Sequence, residues 1–271
     1  HGYKLALPAS SKFTLTKPAK TIARDAGAMA LEFFRDIPAL DIQSKGVQDM
    51  VSNADLEVET FVRAQIAAQF PDDGIVGEEH ANVESKSGWT WVIDPIDGTA
   101  NFVAGIPQWC VILACVQGDE TKAGVIFEPP TNEMFWGAKG QGAFVGNAKL
   151  YVARTSGLNS GSVGVGMNGR TATNMATDLI TELSQRGGIF FRNASGGLML
   201  AYVAAGRLIG YAEAHMNAWD CLTGQLLISE AGGSIEMQSA VDMLENGGRV
   251  IVGSPDIYDE LLGISETAFK A

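Results

Sequence analysis

Apolar residues recur at three- and four-residue spacing over positions 16–34, which puts Ile22, Ala26, Met29 and Phe33 on one side of a helix. The spacing returns over 53–69, with Val58, Phe61, Val62 and Ile66 turned inward, and Pro71-Asp72-Asp73-Gly74 closes that helix in a turn. Then the period shortens. A β-prone pair, Ile75-Val76, precedes Gly77, and the run 89–93 reads as a strand that stops at Asp94-Pro95. Four more strand-like runs, at 109–117, 123–128, 133–137 and 142–145, are separated by Gly, Pro or Asn and predict an antiparallel sheet.

Past residue 150 the texture changes. Strand-like segments at 162–165, 189–191, 208–212, 234–237 and 249–252 are interleaved with helical ones near 172–186, 195–205 and 219–231, and a last helix starts near Asp256. Helices alternating with strands predict an α/β half packed on an α+β half. The join falls at 151–161, giving an N-terminal half over 1–155 and a C-terminal half over 156–271. No flexible linker marks it, so the halves are expected to be rigidly fused.

Composition narrows the function. A chain of 271 residues, 46% hydrophobic, can bury a sizeable core, and no run of 18 apolar residues offers a membrane span. No basic start followed by an apolar core marks a secretory signal, so a cytoplasmic protein without a membrane partner is expected. A formal net charge of −12 argues against a nucleic-acid partner, whose phosphates it would repel. An acidic substrate would be repelled too, unless bound cations reverse the local field. Cys110, Cys115 and Cys221 sit in apolar runs and read as buried reduced thiols.

Ligands for such cations are present. Asp94-Pro95-Ile96-Asp97-Gly98-Thr99 brings two carboxylates to the end of a strand, on one tight turn. Gly98-Thr99 can open a helix whose free N–H groups suit a phosphate oxygen. Gly77-Glu78-Glu79 puts two more carboxylates at a strand end, and Asp220 precedes an apolar helix. Each has a plainer reading alone: an Asx turn, a solvated glutamate pair, a charge at a helix N-terminus. Asp55, in Ser52-Asn53-Ala54-Asp55, fits a capping box, and that reading is compatible with catalysis. Together these oxygens suit Mg²⁺, whereas three unpaired His do not suit zinc. The chain has no Cys-x5-Arg and no P-loop lysine, which leaves direct attack by a metal-activated water on a phosphate monoester.

These motifs resemble the inositol monophosphatase family. Its D-P-[IL]-D-G-T…N-[FY] element is matched by Asp94 to Thr99, Asn101 and Phe102, its W-D…E-A-G-G element by Trp219-Asp220 and Glu230-Ala231-Gly232-Gly233, and its G-E-E element by Gly77-Glu78-Glu79. The resemblance implies a layered α-β-α-β-α sandwich, a homodimer, and a Li⁺-sensitive phosphatase using two or three Mg²⁺ ions, with Mn²⁺ as a substitute. It implies that Glu78, Asp94 and the Ile96 carbonyl hold a first ion, that Asp94, Asp97 and Asp220 hold a second, and that Glu78 shares a weaker third. By the same resemblance Thr99, paired with Asp55, orients or activates water, and Gly98 and Thr99 N–H groups bind phosphate. Asp97, Asp220, Ser195, Gly196 and Glu213 would contact substrate, and Lys45 and Asp49 would belong to a mobile loop.

The departures fall on the substrate side: Ala100, Ala194-Ser195-Gly196-Gly197 and Ala214-His215-Met216-Asn217. The expected substrate is a small phosphorylated polyol, inositol monophosphate first. Histidinol phosphate (toward which Trp109 can be read), fructose 1,6-bisphosphate and 3′-phosphoadenosine phosphates are the alternatives, and a non-catalytic regulatory module on the same fold is the rival from another class.

Overall fold

A small-residue face lets the first helix lie close against a sheet. In the computed structural model, which describes residues 12–46 and 49–270, α1 (Lys12–Arg35) buries Ala19, Ile22, Ala23, Ala26 and Ala30. Met29 and Phe33, expected to point inward, are only partly buried. The alanine–glycine stripe makes the contact instead: a Cβ on Gly27 would stand 2.6 Å from the Phe127 ring. The hairpin β1 (Ile42–Gly46) and β2 (Asp49–Ser52) follows, so Lys45 lies in a strand rather than in a loop. The side chain of Asp49 lies outside the described residues. The next helix, α2 (Asn53–Gln69), has the bounds its periodicity predicts.

Seven strands then form one sheet in chain order: β3 (Gly74–Gly77), β4 (Trp89–Asp97), β5 (Cys110–Gln117), β6 (Glu120–Glu128), β7 (Glu133–Ala138), β8 (Gly142–Val145) and β9 (Ala148–Lys149). β3 is parallel to β4, and every later pair is antiparallel. The expectation that β4 stops at Asp94-Pro95 is corrected, and with it the placing of Asp94 and Asp97 on a tight turn. The strand runs on to Asp97 through a register shift, Asp94 facing Ile112 and Asp97 facing Cys110. Pro95 is tolerated because it falls where the ladder is already interrupted. A short helix, α3 (Thr99–Val103), starts directly after it.

The second sheet has the order β11-β10-β12-β14-β13. Its elements are β10 (Ser162–Val165), α4 (Thr173–Gln185), β11 (Ile189–Phe191), α5 (Gly196–Ala204), β12 (Gly210–Met216), α6 (Ala218–Glu230), β13 (Ser234–Ile235), α7 (Ala240–Asn246), β14 (Gly248–Gly253) and α8 (Tyr258–Ala268). β10 is parallel to β11 and β12, while β14 is antiparallel to β12 and β13.

Among the described residues, three apolar cores separate five layers. One lies between α1, α2 and the first sheet, one between the two sheets around α5 and α6, and one between the second sheet, α4 and α8. This is the layered α-β-α-β-α sandwich expected above. No described helix is long and apolar enough to cross a membrane. α6 is buried on almost every side from Cys221 to Ile228, as a helix between two sheets must be. Glu230 fastens its far end by accepting from Gly140 N (2.7 Å) and Gly142 N (2.8 Å).

Glycines bring α6 into contact on both sides. A Cβ on Gly124 of β6 would sit 2.6 Å from Thr223, whose hydroxyl donates to the Leu113 carbonyl at 2.8 Å, and one on Gly224 would sit 2.4 Å from Leu200. The substitution Gly124→Val is therefore expected to cost about 1–3 kcal/mol through overpacking. Urea denaturation should show a lower midpoint at an unchanged slope. An unshifted midpoint would mean that α6 has slack in this groove.

Candidate active site

Two elements deliver three carboxylates to one point between the sheets. β4 supplies Asp94 and Asp97, and the first turn of α6 supplies Asp220. One oxygen from each lies within 4.8 Å of the others. Both β4 carboxylates are buried. Glu78, just beyond β3, is close enough to feel the charges of Asp220, Glu79, Lys45 and Asp55.

Each carboxylate is aimed by donors of the chain itself. Asp94 Oδ1 accepts from Ile96 N at 3.1 Å. Asp97 Oδ2 accepts the Ser195 hydroxyl at 2.5 Å, Gly197 N at 2.7 Å and the Cys110 thiol at 3.6 Å. Asp220 Oδ2 accepts from Asn217 N at 3.0 Å, which closes a capping box at the head of α6. Capping and site-building are one act here.

Asp55 also does two jobs. Its Oδ2 accepts the backbone N–H of Ser52 (2.8 Å) and the Ser52 hydroxyl (2.7 Å) at the head of α2, while its Oδ1 accepts the Thr99 hydroxyl at 2.9 Å. The Thr99 oxygen also lies 3.0 Å from the Ile96 carbonyl. The backbone N–H groups of Gly98 and Thr99 open α3 here, Gly98 in the left-handed region at φ +94°.

Burial dominates the electrostatics. It pushes Asp94 well above the usual carboxylate range, and the charges of Glu78, Asp97 and Asp220 push it further. Glu78 is raised well above its ordinary value by burial, then by Asp220 and Glu79. Asp97 is raised by burial against the pull of its three donors. Asp220 is pushed up to about 7 by burial and by Asp97. Asp55 is raised by burial and held back by Ser52 and Thr99. Carboxylates packed this closely call for positive charge, and an all-oxygen donor set suits a hard divalent cation such as Mg²⁺.

On the far side stands Glu213 of β12, buried and raised by burial. Tyr211 donates its hydroxyl to Oε2, and Asn168 Nδ2 donates to Oε1 at 2.7 Å. Gly196 lies alongside, since a Cβ there would come within 3.9 Å of Glu213 Oε2. Ser195 is wholly buried, with its hydroxyl on Asp97, so any approach of this segment to a substrate is through its backbone. Lys45 Nζ reaches Glu79 at 2.6 and 2.7 Å. Trp109 packs edge-on against Phe102 at 4.9 Å, wholly in the core, and gives no support to the histidinol-phosphate alternative.

The motif reading gave Asn101 no role and passed over Glu59 and Arg63, all of which build the site. Asn101 Nδ2 donates to the carbonyls of Gln108 (2.7 Å) and Asn193 (2.6 Å), fixing the 193–197 segment above Asp97. Glu59 and Arg63 of α2 grip the chain beyond Glu78. A charge at position 59 on the apolar face of Val58, Val62 and Ile66 was the available signal. Ala194 sits at φ +63°, a region that costs a residue with a Cβ about 1–2 kcal/mol.

Comparison with known proteins agrees with this geometry. The profile described as Inositol monophosphatase family matches residues 12–267. An inositol-1-monophosphatase of Mesorhizobium japonicum is 37% identical over 245 residues, covering 89% of this chain and 91% of that protein. A protein named Nus factor SuhB, of Xylella fastidiosa, is 35% identical over 82% of each chain. Among solved structures, extragenic suppressor protein suhB from Bartonella henselae superposes with a TM-score of 0.87 at 26% identity, over 95% of this chain and 99% of that one. An IMPase from Thermotoga maritima gives 0.82 at 27% identity, over 92% and 95%.

Two outcomes are expected. A carboxylate whose folded pKa is raised contributes stability that is present below its unfolded pKa and lost as pH climbs through the folded value. For Asp220 that window runs from its ordinary 3.8 to about 7. A divalent cation removes the penalty, so the rise in Tm produced by Mg²⁺ should be larger at pH 8 than at pH 5.5. Equal rises at both would mean the cluster does not carry the cation. Separately, Ala194→Gly should raise stability by about 1 kcal/mol by releasing backbone strain. A loss of stability on calorimetry would show that Ala194 is not strained.

Proposed function

The chain belongs to the inositol monophosphatase family, whose members are metal-dependent phosphatases, and from that premise we propose that it hydrolyses a small phosphorylated polyol, inositol monophosphate first, with Mg²⁺. The observation that carries this reading is the trio Asp94, Asp97 and Asp220, two of them buried and one half-buried, beside the Thr99–Asp55 pair. We also propose that it works as a homodimer in the cytoplasm. Loss of a cluster carboxylate would favour the regulatory rival, and Glu78, Asp94, Asp97 and Asp220 are all in place.

Glu78, Asp94 and the Ile96 carbonyl would hold one ion and Asp94, Asp97 and Asp220 a second, with Glu78 open to a weaker third. Bound there, divalent cations would neutralise phosphate charge and acidify water. The chain supplies the rest. Thr99 Oγ1 accepts a proton from the attacking water as its own passes to Asp55 Oδ1, and the raised pKa of Asp55 suits that acceptance. Backbone N–H groups of Gly98 and Thr99 hold phosphate oxygens. Glu213, pre-oriented by Tyr211 and Asn168, accepts a hydroxyl of the polyol, beside the backbone of Ser195 and Gly196.

The direct test is hydrolysis of inositol 1-phosphate, histidinol phosphate, fructose 1,6-bisphosphate, a 3′-phosphoadenosine phosphate and p-nitrophenyl phosphate, with and without Mg²⁺. Turnover of none, or turnover indifferent to Mg²⁺, would sink the reading. Asp94→Asn should bring activity below about a tenth of wild type at saturating Mg²⁺, because a neutral amide replaces the carboxylate assigned to both ions. Glu213→Gln should reorder the polyol phosphates by about tenfold, roughly 1.4 kcal/mol, while p-nitrophenyl phosphate changes far less. A uniform fall across all substrates would place Glu213 in the scaffold instead.

A further inference from the structure

Glu59 is a wholly buried charge that the hydrolytic reading does not use. Its Oε1 accepts Arg63 Nε at 2.7 Å and His80 N at 3.2 Å, and its Oε2 accepts Glu79 N at 2.8 Å. Arg63 completes the grip, donating from Nη1 to the Ala81 carbonyl at 2.9 Å and from Nη2 to the His80 carbonyl at 3.0 Å. On the other side of Glu78, a Cβ on Gly77 would stand 2.2 Å from Glu59 Oε1 and 2.9 Å from Arg63 Nη2. The pair thus brackets Glu78, with Gly77 pressed against it and residues 79–81 hydrogen-bonded to it.

We infer that the Glu59–Arg63 pair is a positioning device that sets the place of the Glu78 carboxylate and with it the affinity of the site for divalent cation; this rests on the reading of Glu78 as a cation ligand. Asp55, Glu59 and Arg63 follow one another at four-residue intervals, so they form one stripe along α2. The top of the stripe holds Thr99, and the two lower members hold the chain beyond Glu78. One rigid helix therefore fixes the distance between the proton-accepting pair and a metal-ligand loop. Stability alone gives no reason for such an arrangement, since a buried ion pair stabilises no better than well-packed apolar side chains. Its worth lies in four directional bonds to the backbone of a segment that has no regular ladder of its own. Supporting partners of metal ligands typically change metal affinity by about 10–100-fold when removed.

The experiment measures Mg²⁺ binding by calorimetry without substrate, and Mg²⁺-dependent hydrolysis, for wild type, Glu59→Gln, Arg63→Lys and Val62→Ala. Val62 is a buried apolar neighbour on α2 and reports plain destabilisation. Glu59→Gln and Arg63→Lys should weaken Mg²⁺ binding by about tenfold or more, with kcat at saturating Mg²⁺ within about threefold of wild type. Val62→Ala should lower Tm and leave Mg²⁺ affinity within about twofold. Should Glu59→Gln fail to fold, Arg63→Lys, which keeps the charge and loses the fork, decides alone. Wild-type affinity in the charged-pair variants overturns the inference and leaves the phosphatase reading intact, as does an equal loss in Val62→Ala. A wild type that binds no Mg²⁺ overturns that reading and the inference together.

Discussion

Like charges crowded into a buried seam are the constraint around which this molecule is arranged. At 4.8 Å two carboxylates repel by about 3 kcal/mol even at an effective dielectric of about 20. Burial raises all of their pKa values further, and the nearest cations are poorly placed to relieve them. Lys45 is hydrogen-bonded to Glu79 and only partly offsets the rise of Glu78, and Arg170 eases Asp220 and Glu213. A chain left to minimise its own energy would move these groups apart. It cannot, because they are tied to separate elements: Asp94 and Asp97 to a central strand, Asp220 to the head of an enclosed helix, and Glu78 to a segment clamped by α2. The rigidity of three cores is what holds the repulsion in place until a cation relieves it.

The clamps differ in how far their signals reach along the chain. Strands β5 to β8 were legible because alternation and turn residues are local, and α2 and α6 because their periodicity is. The carboxylates were legible too, as acidic residues at the ends of apolar runs. What the pattern could not show was partnership across the chain. The Gly197 N–H and the Ser195 hydroxyl reach Asp97 from about a hundred positions away. The resemblance placed Ser195 at a substrate contact, whereas its hydroxyl is taken by Asp97. The continuation of β4 through Pro95 was hidden for a related reason, since a register shift belongs to a pair of strands. The hairpin β1–β2 and the helix α7 lack an apolar stripe long enough to announce them. Position 59 carried a signal that went unused: a glutamate on an otherwise apolar helix face must be paired inside.

Asn101 shows how a motif residue can serve geometry rather than chemistry. Its amide spans the carbonyls of Gln108 and Asn193, fastening the two sheets' connecting segments at one point. Next to the fastened Asn193, Ala194 takes a left-handed conformation that a Cβ disfavours. Asn193 then turns its Oδ1 onto Ser195 N at 3.0 Å, so the strained residue is held from both sides. Strain of this kind survives only where neighbours over-determine the backbone. Here the surplus bonds are those that aim Ser195 and Gly197 at Asp97.

The same short segment joins the two faces of the site. Ser195 and Gly197 give their donors to Asp97, while Gly196 between them faces Glu213 and Met216. A Cβ on Gly196 would stand 2.7 Å from Met216 and one on Gly197 2.9 Å from Asp97, so neither wall can gain bulk here without shifting the other. Elsewhere the faces are anchored separately. Glu213 is held by Tyr211 of β12 and by Asn168 in the loop after β10, whereas Asp94 and Asp55 are held within β4 and at the head of α2. Changes along β12 can therefore reshape what the site admits while the carboxylate cluster stays where it is. The unusual run Ala214-His215-Met216-Asn217 lies on that freer wall. It ends at Asn217, whose N–H caps Asp220, and at that residue the freedom stops, because a shift there would carry a carboxylate of the cluster with it.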